Sequence, residues 1–175
     1  MSLAPLLSAS PIIQIHAFAA MLAFGLGGVV LFRRKGDGAH KSAGRIWVGL
    51  MVAVAVSSLF IWELRMFGLF SPIHLLSLGS LVSLWLGVRL ARKHQISAHR
   101  RTMQATYLLA LVLTGWFTFM PGRIMNQVVF GPQGAGPTES AIFIVVSLLV
   151  GAGAIWLVRR AGRGMGRPAL KQNPS

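Results

Sequence analysis

The sequence predicts an all-α integral membrane protein. Its five transmembrane helices form a four-helix bundle of two repeated helical hairpins, plus one C-terminal helix. Three observations predict it: five long apolar stretches, cations crowded onto one side, and a histidine pattern that recurs once. The 175-residue chain is 54% hydrophobic and only 11% charged, yet carries a formal charge of +14. In a soluble protein that charge would suggest nucleic acid. Here the apolar runs are too long for such a reading and exclude it. About 20 apolar residues cross a bilayer core, and five stretches approach that length: 12–32, 46–63, 72–90, 103–120 and 139–158.

Charge placement sets the expected orientation. Arg33, Arg34, Lys35, Lys41 and Arg45 lie between the first two stretches, and Arg89, Arg92, Lys93, Arg100 and Arg101 between the third and fourth. Arg159, Arg160, Arg163, Arg167 and Lys171 follow the fifth, leaving only Arg65 and Arg123 of the 17 cations for the other side. The positive-inside rule puts the crowded side in the cytoplasm. With an odd number of spans, the N-terminus is then outside and the C-terminus inside. Anionic lipid headgroups are the expected contact of the basic side. Residues 1–15 lack a positive n-region, so the first helix is expected to stay as an anchor. With no cysteine, disulfides, thiolate metal sites and cysteine-ligated iron–sulfur clusters are excluded.

The first helix should start at Ser10-Pro11 and the third at Ser71-Pro72, because proline suits a first helical turn. Lys35-Gly36-Asp37-Gly38 reads as a turn, with the second helix running from about Gly44 to Trp62-Glu63. The fourth ends at Met120-Pro121-Gly122, and the glycine- and proline-rich segment 121–138 reads as an irregular external loop. Residues 1–160 make one transmembrane domain, with repeat units at about 12–63 and 72–120 and an extra helix at 139–158. Residues 161–175 form a basic tail. Trp47, Trp62, Trp116 and Trp156 sit towards helix ends, as interfacial anchors do, and Trp85 reads as packing.

The repeat carries the chemistry. His16 and His40 recur as His74 and His99, offset by 58 and 59 residues. His16 and His74 should lie at equal depth near the outer face, and His40 and His99 near the inner face. As continuous helix, 24 residues would span ~36 Å, enough to cross a core of ~30 Å. His16 heads a stripe of small residues, Ala20, Ala23 and Gly27, which would leave room for a flat cofactor. Small residues also simply let membrane helices approach, with histidine bonding across the seam. Ser77, Ser80 and Ser83 could fix the His74 tautomer or bond their own helix.

Two axial histidines from facing helices can hold a haem b. His16 and His74 are the candidate outer ligands, and His40 and His99 the candidate inner pair, for which interfacial or capping roles compete. His94 has no counterpart in the first unit and reads as loop. Arg123 and Arg65 are candidate partners of the haem propionates, since guanidinium pairs bidentately with carboxylate. Local roles compete there too: an ion pair with Glu63 for Arg65, a helix-end or headgroup contact for Arg123. Asp37, Glu63 and Glu139 all lie outside mid-membrane, leaving few residues for a proton relay.

The pieces Ile15-His16-Ala17, Ala39-His40-Lys41 with Gly44-Arg45, and Ile73-His74-Leu75-Leu76-Ser77 resemble one bacterial membrane-protein family. His99-Arg100-Arg101-Thr102-Met103 and Pro121-Gly122-Arg123 extend the likeness to roughly two thirds of the chain. That family is domain of unknown function 2306; the resemblance implies a multi-pass membrane protein and no particular activity. In layout alone, the histidine pairs look like those of b-type transmembrane cytochromes and haem A synthase. The expected function is haem-dependent electron transfer, or redox support of a membrane enzyme, with a membrane redox partner or quinone. Alternatives are an accessory or assembly subunit with structural histidines, and a small-molecule or metal transporter.

Overall fold

A computed structural model describes residues 2–61 and 72–149, and the described residues form helices and turns without strands. They fall into two compact units, Met1–Gly134 and Ala135–Ser175. Trp62, Glu63 and Arg65, together with Trp156 and the basic tail, lie outside the described residues.

In the first unit a short helix α1 (Ala4–Leu7) precedes α2 (Pro11–Phe32), which opens at Pro11 as its sequence anticipates. Helix α3 (Gly38–Ser58) begins six residues earlier than expected. Asp37 is the reason. Its carboxylate accepts the His40 backbone N–H at 2.6 Å, capping a helix terminus whose first N–H groups otherwise lack partners. Helix α4 (Pro72–Arg92) also starts at its proline, and a turn with His94 at φ 58° leads into α5 (Ile96–Tyr107). The same helical rod continues as a π-helical segment, Leu108–Leu113, and α6 (Thr114–Thr118). Two hydroxyls bracket the π segment by bonding back to their own helix, Thr106 to Thr102 O and Thr114 to Ala110 O. Such back-bonding offers the backbone an alternative to the regular ladder.

The segment 121–138 is not the irregular loop its glycines and prolines suggest. It contains α7 (Ile124–Phe130), opened after Arg123 and closed by Gly131 at φ 103°, a left-handed value that glycine adopts freely. Asn126 is buried at its centre and donates to Phe119 O at 2.8 Å, so the turn after α6 is tied down. Helix α7 packs on α1, and the Ser2 N–H donates to Val128 O.

Helices α2, α3, α4 and α5 with its π segment close a ring in which each packs on its chain neighbours and α5 returns to α2. The diagonals of the ring are α2 with α4 and α3 with α5. Ala23, Trp47, Met51, Leu84 and Leu111 form the buried core, one or two residues from each wall of the ring. Outside, Ile15, Phe18, Leu22, Phe24 and Val29 leave α2 apolar and exposed, a surface that suits lipid more than water. Two described helices are long and apolar enough to cross a membrane, Pro11–Phe32 and His74–Arg92. In the second unit the residues Pro137–Leu149 form a shorter apolar helix.

Candidate functional site: histidines at the two ends of the bundle

The small-residue face of α2 is filled by protein at Ala23 and Gly27. The indole N–H of Trp47 donates to Ala23 O at 3.0 Å, and the Tyr107 hydroxyl donates to the next carbonyl, Phe24 O, at 3.1 Å. A Cβ placed on Gly27 would stand 2.5 Å from the Trp47 indole nitrogen and 2.6 Å from the Tyr107 ring. Gly27 is therefore where two aromatic side chains close the middle of the ring. At Ala23 and Gly27 these two side chains take the room that the stripe was expected to leave for a flat cofactor. Trp47, expected at an interface, is a core residue only 4% exposed, because α3 starts at Gly38 and carries it about two and a half turns in. Trp85, expected in packing, is 60% exposed.

Beyond this plug, at the end of the bundle that holds the start of α2, polar side chains gather. His16 Nδ1 donates to Val54 O at 3.1 Å and lies 3.0 Å from Ser57 Oγ. A carbonyl can only accept, so the bond places the imidazole proton on Nδ1 and the lone pair on Nε2. Ser57 returns its own proton to Ala53 O or Val54 O. The adjacent Ser58 pairs with Ser77 of α4, 2.5 Å oxygen to oxygen. His74 is buried one turn before Ser77, and Ser80 is buried one turn after it. Helix α3 thus presents consecutive serines, Ser57 to α2 and Ser58 to α4. The serines of α4 were expected beside His74; the hydroxyl beside His16 is Ser57 of α3. Nothing local marks Ser57; only the antiparallel register of α2 and α3 brings it there.

At the opposite, basic end, the histidines come from the other diagonal. His99 Nδ1 donates to Gly87 O at 2.8 Å, again leaving the lone pair on Nε2. His40, in the first turn of α3 and ahead of its apolar stretch, lies within electrostatic range of His99. Burial holds the His40 imidazole below its ordinary value, and repulsion from His99 adds to the effect. Its Nδ1 is buried without a hydrogen-bond partner among the described residues. Beside it, the His40 N–H keeps the Asp37 carboxyl below the usual carboxylate range, and the Arg33 guanidinium, 3.2 Å away, contributes. Gly87 matters for the approach: a Cβ there would run into the Met103 thioether methyl.

Arg123 stands at the start of α7, at the His16 end, and is half-buried. Arg65, its expected companion, lies outside the described residues. Among the described residues no group of three or more His, Cys, Asp or Glu side chains could hold a metal ion.

A family model described as predicted membrane protein, domain of unknown function 2306, matches residues 13–132. The chain belongs to this family. The matched span begins just before His16 and ends just after α7, so it takes in all four histidines of the repeat and the whole ring of helices. No curated protein and no solved structure matches the chain.

Proposed function

We propose that this family member is a b-type haem protein of the bacterial inner membrane, serving electron transfer or redox support of a membrane enzyme. Five spans, the N-terminus outside and the C-terminus inside complete the reading. His16 with His74 would hold one haem at the outer end, and His40 with His99 a second at the inner end. The observation that carries it is the arrangement of the imidazoles. One pair belongs to each diagonal of the ring, at opposite ends, and in each pair one histidine has its Nδ1 proton fixed on a backbone carbonyl. That bond is the usual outer support of a ligating histidine, since it sets the tautomer and raises ligand basicity.

When bound, a haem supplies a one-electron couple. The chain's part is to orient and insulate. Val54 O and Ser57 hold the His16 ring, Gly87 O holds the His99 ring, and the apolar plug of Trp47, Met51, Leu84 and Leu111 excludes water between the ends. Arg123, at the His16 end, would pair with a propionate, and Arg65 is the second candidate. A membrane quinone or redox protein would exchange the electron. The test is absorbance of the full chain, expressed with ample haem and purified in detergent. A Soret band is expected, reduced in His16→Ala/His74→Ala and in His40→Ala/His99→Ala, and absent when all four are replaced. A colourless wild type, or a band unchanged in the fourfold variant, sinks the reading.

A second reading has an observation of its own. His16 and His99 each stitch two helices together through a carbonyl, which is what a purely structural histidine does. In an accessory or assembly subunit, the protein is colourless and the histidine variants lose only stability. The packed apolar core between the two polar ends weighs against a transporter.

A further inference from the structure

The described face of α4 ends in a feature that neither histidine pair uses. Leu75, Leu78 and Val82 are exposed along one side of the helix, and Trp85 continues the row. One turn further, the Arg89 guanidinium lies over the Trp85 ring, 5.1 Å from its centroid. Arg92 and Lys93, both exposed, follow at the next turn. The spacing of three to four residues keeps all of them on one stripe of the helix. No acid occurs anywhere in α4. Among the described residues of the first unit the one acid is Asp37, which is engaged by Arg33 and the His40 N–H.

We propose that this stripe is a binding site for an anionic phospholipid in the leaflet at the basic end of the bundle. The order of chemistry along the helix matches that of such a lipid read from tail to head. Leucine and valine face the acyl chain, the indole sits at glycerol depth where tryptophan partitions, and three cations meet the phosphate and its neighbouring headgroup charge. Stacking on Trp85 holds the Arg89 fork in place, so less of its freedom is lost when it pairs with a phosphate. A lipid headgroup is favoured over free phosphate because the cations stand at the end of a continuous apolar face, where soluble anions gain nothing from the rest of the stripe.

Brominated lipids provide the test, because bromine on the acyl chain quenches nearby tryptophan. The full chain is reconstituted in phosphatidylcholine vesicles containing a minor fraction of brominated phosphatidylglycerol or brominated phosphatidylcholine. Trp85→Phe, measured alongside, isolates the Trp85 signal. Phosphatidylglycerol is expected to be enriched at Trp85 at least about fivefold, the factor that one cation near an anionic surface supplies. Arg89→Gln/Arg92→Gln/Lys93→Gln should abolish this preference, while quenching by brominated phosphatidylcholine persists and reports correct insertion. Inorganic phosphate should not compete. Equal quenching by the two lipids, a preference that survives the triple substitution, or displacement by inorganic phosphate would each overturn the proposal.

Discussion

Gly27 and Gly87 mark two close helix approaches, and they are closed by opposite means. At Gly27 two aromatic rings from α3 and α5 press on α2, each fixed by a hydrogen bond to a consecutive carbonyl. At Gly87 the neighbour is the tip of Met103, a flexible side chain, and the nearby carbonyl is taken by His99. Helix association in lipid lacks the hydrophobic driving force of water and rests on packing, with cross-helix hydrogen bonds averaging about 0.6 kcal/mol. The middle of the bundle should therefore be set rigidly by the Gly27 contact. The basic end, closed by the flexible Met103 tip, can yield.

The largest effect should come from Gly27→Val. Rigid rings fixed on carbonyls cannot move aside, so overpacking should cost about 1–3 kcal/mol and disturb both hydrogen bonds, read as a lowered thermal midpoint in detergent. Gly87→Ala should be far milder. Helix propensity favours alanine by about 1 kcal/mol, against the displacement of a methionine tip, and a loss as large as at Gly27 would refute the contrast. Tyr107→Phe removes one hydroxyl and leaves the ring on Gly27; a drop of about 0.6 kcal/mol is expected, and a larger one would shift weight from packing to hydrogen bonding. Smallest is Asp37→Asn, a slight weakening of the α3 start seen by amide exchange at residues 38–41. Its pH dependence has a definite sign. The folded carboxyl lies below its ordinary value of 3.8, so its contribution is complete above that value and lost as pH falls through the folded one. The Asn variant should lack this acid-side change.

Pattern made much of this legible. Both prolines mark helix starts, and the repeat placed histidines at two ends of one bundle. Other features escaped for physical reasons. Asp37 between two glycines reads as a turn, yet its side chain starts a helix six residues early and moves Trp47 from a rim position to the core. Tyr107, the chain's one tyrosine, heads an apolar run and was an available signal of a polar tie to a neighbouring helix. The π segment is flanked by Thr106 and Thr114, which bond back to their own helix, but threonine alone does not distinguish a π segment from a regular helix. Helix α7 hides among glycines and prolines that serve as its turns.

By itself the sequence determined what depends on period, composition and local caps: an all-helical membrane protein, its family, and histidines recurring in two matched units. Only the tertiary structure decided which groups those histidines meet. The antiparallel register of α2 and α3 brings Val54 O and Ser57 to His16, and close approach at Gly87 brings a carbonyl to His99. Filling the small-residue face with Trp47 and Tyr107 was likewise a tertiary outcome. A side chain's depth is local information, but its partner lies on another helix, fixed by packing across the ring.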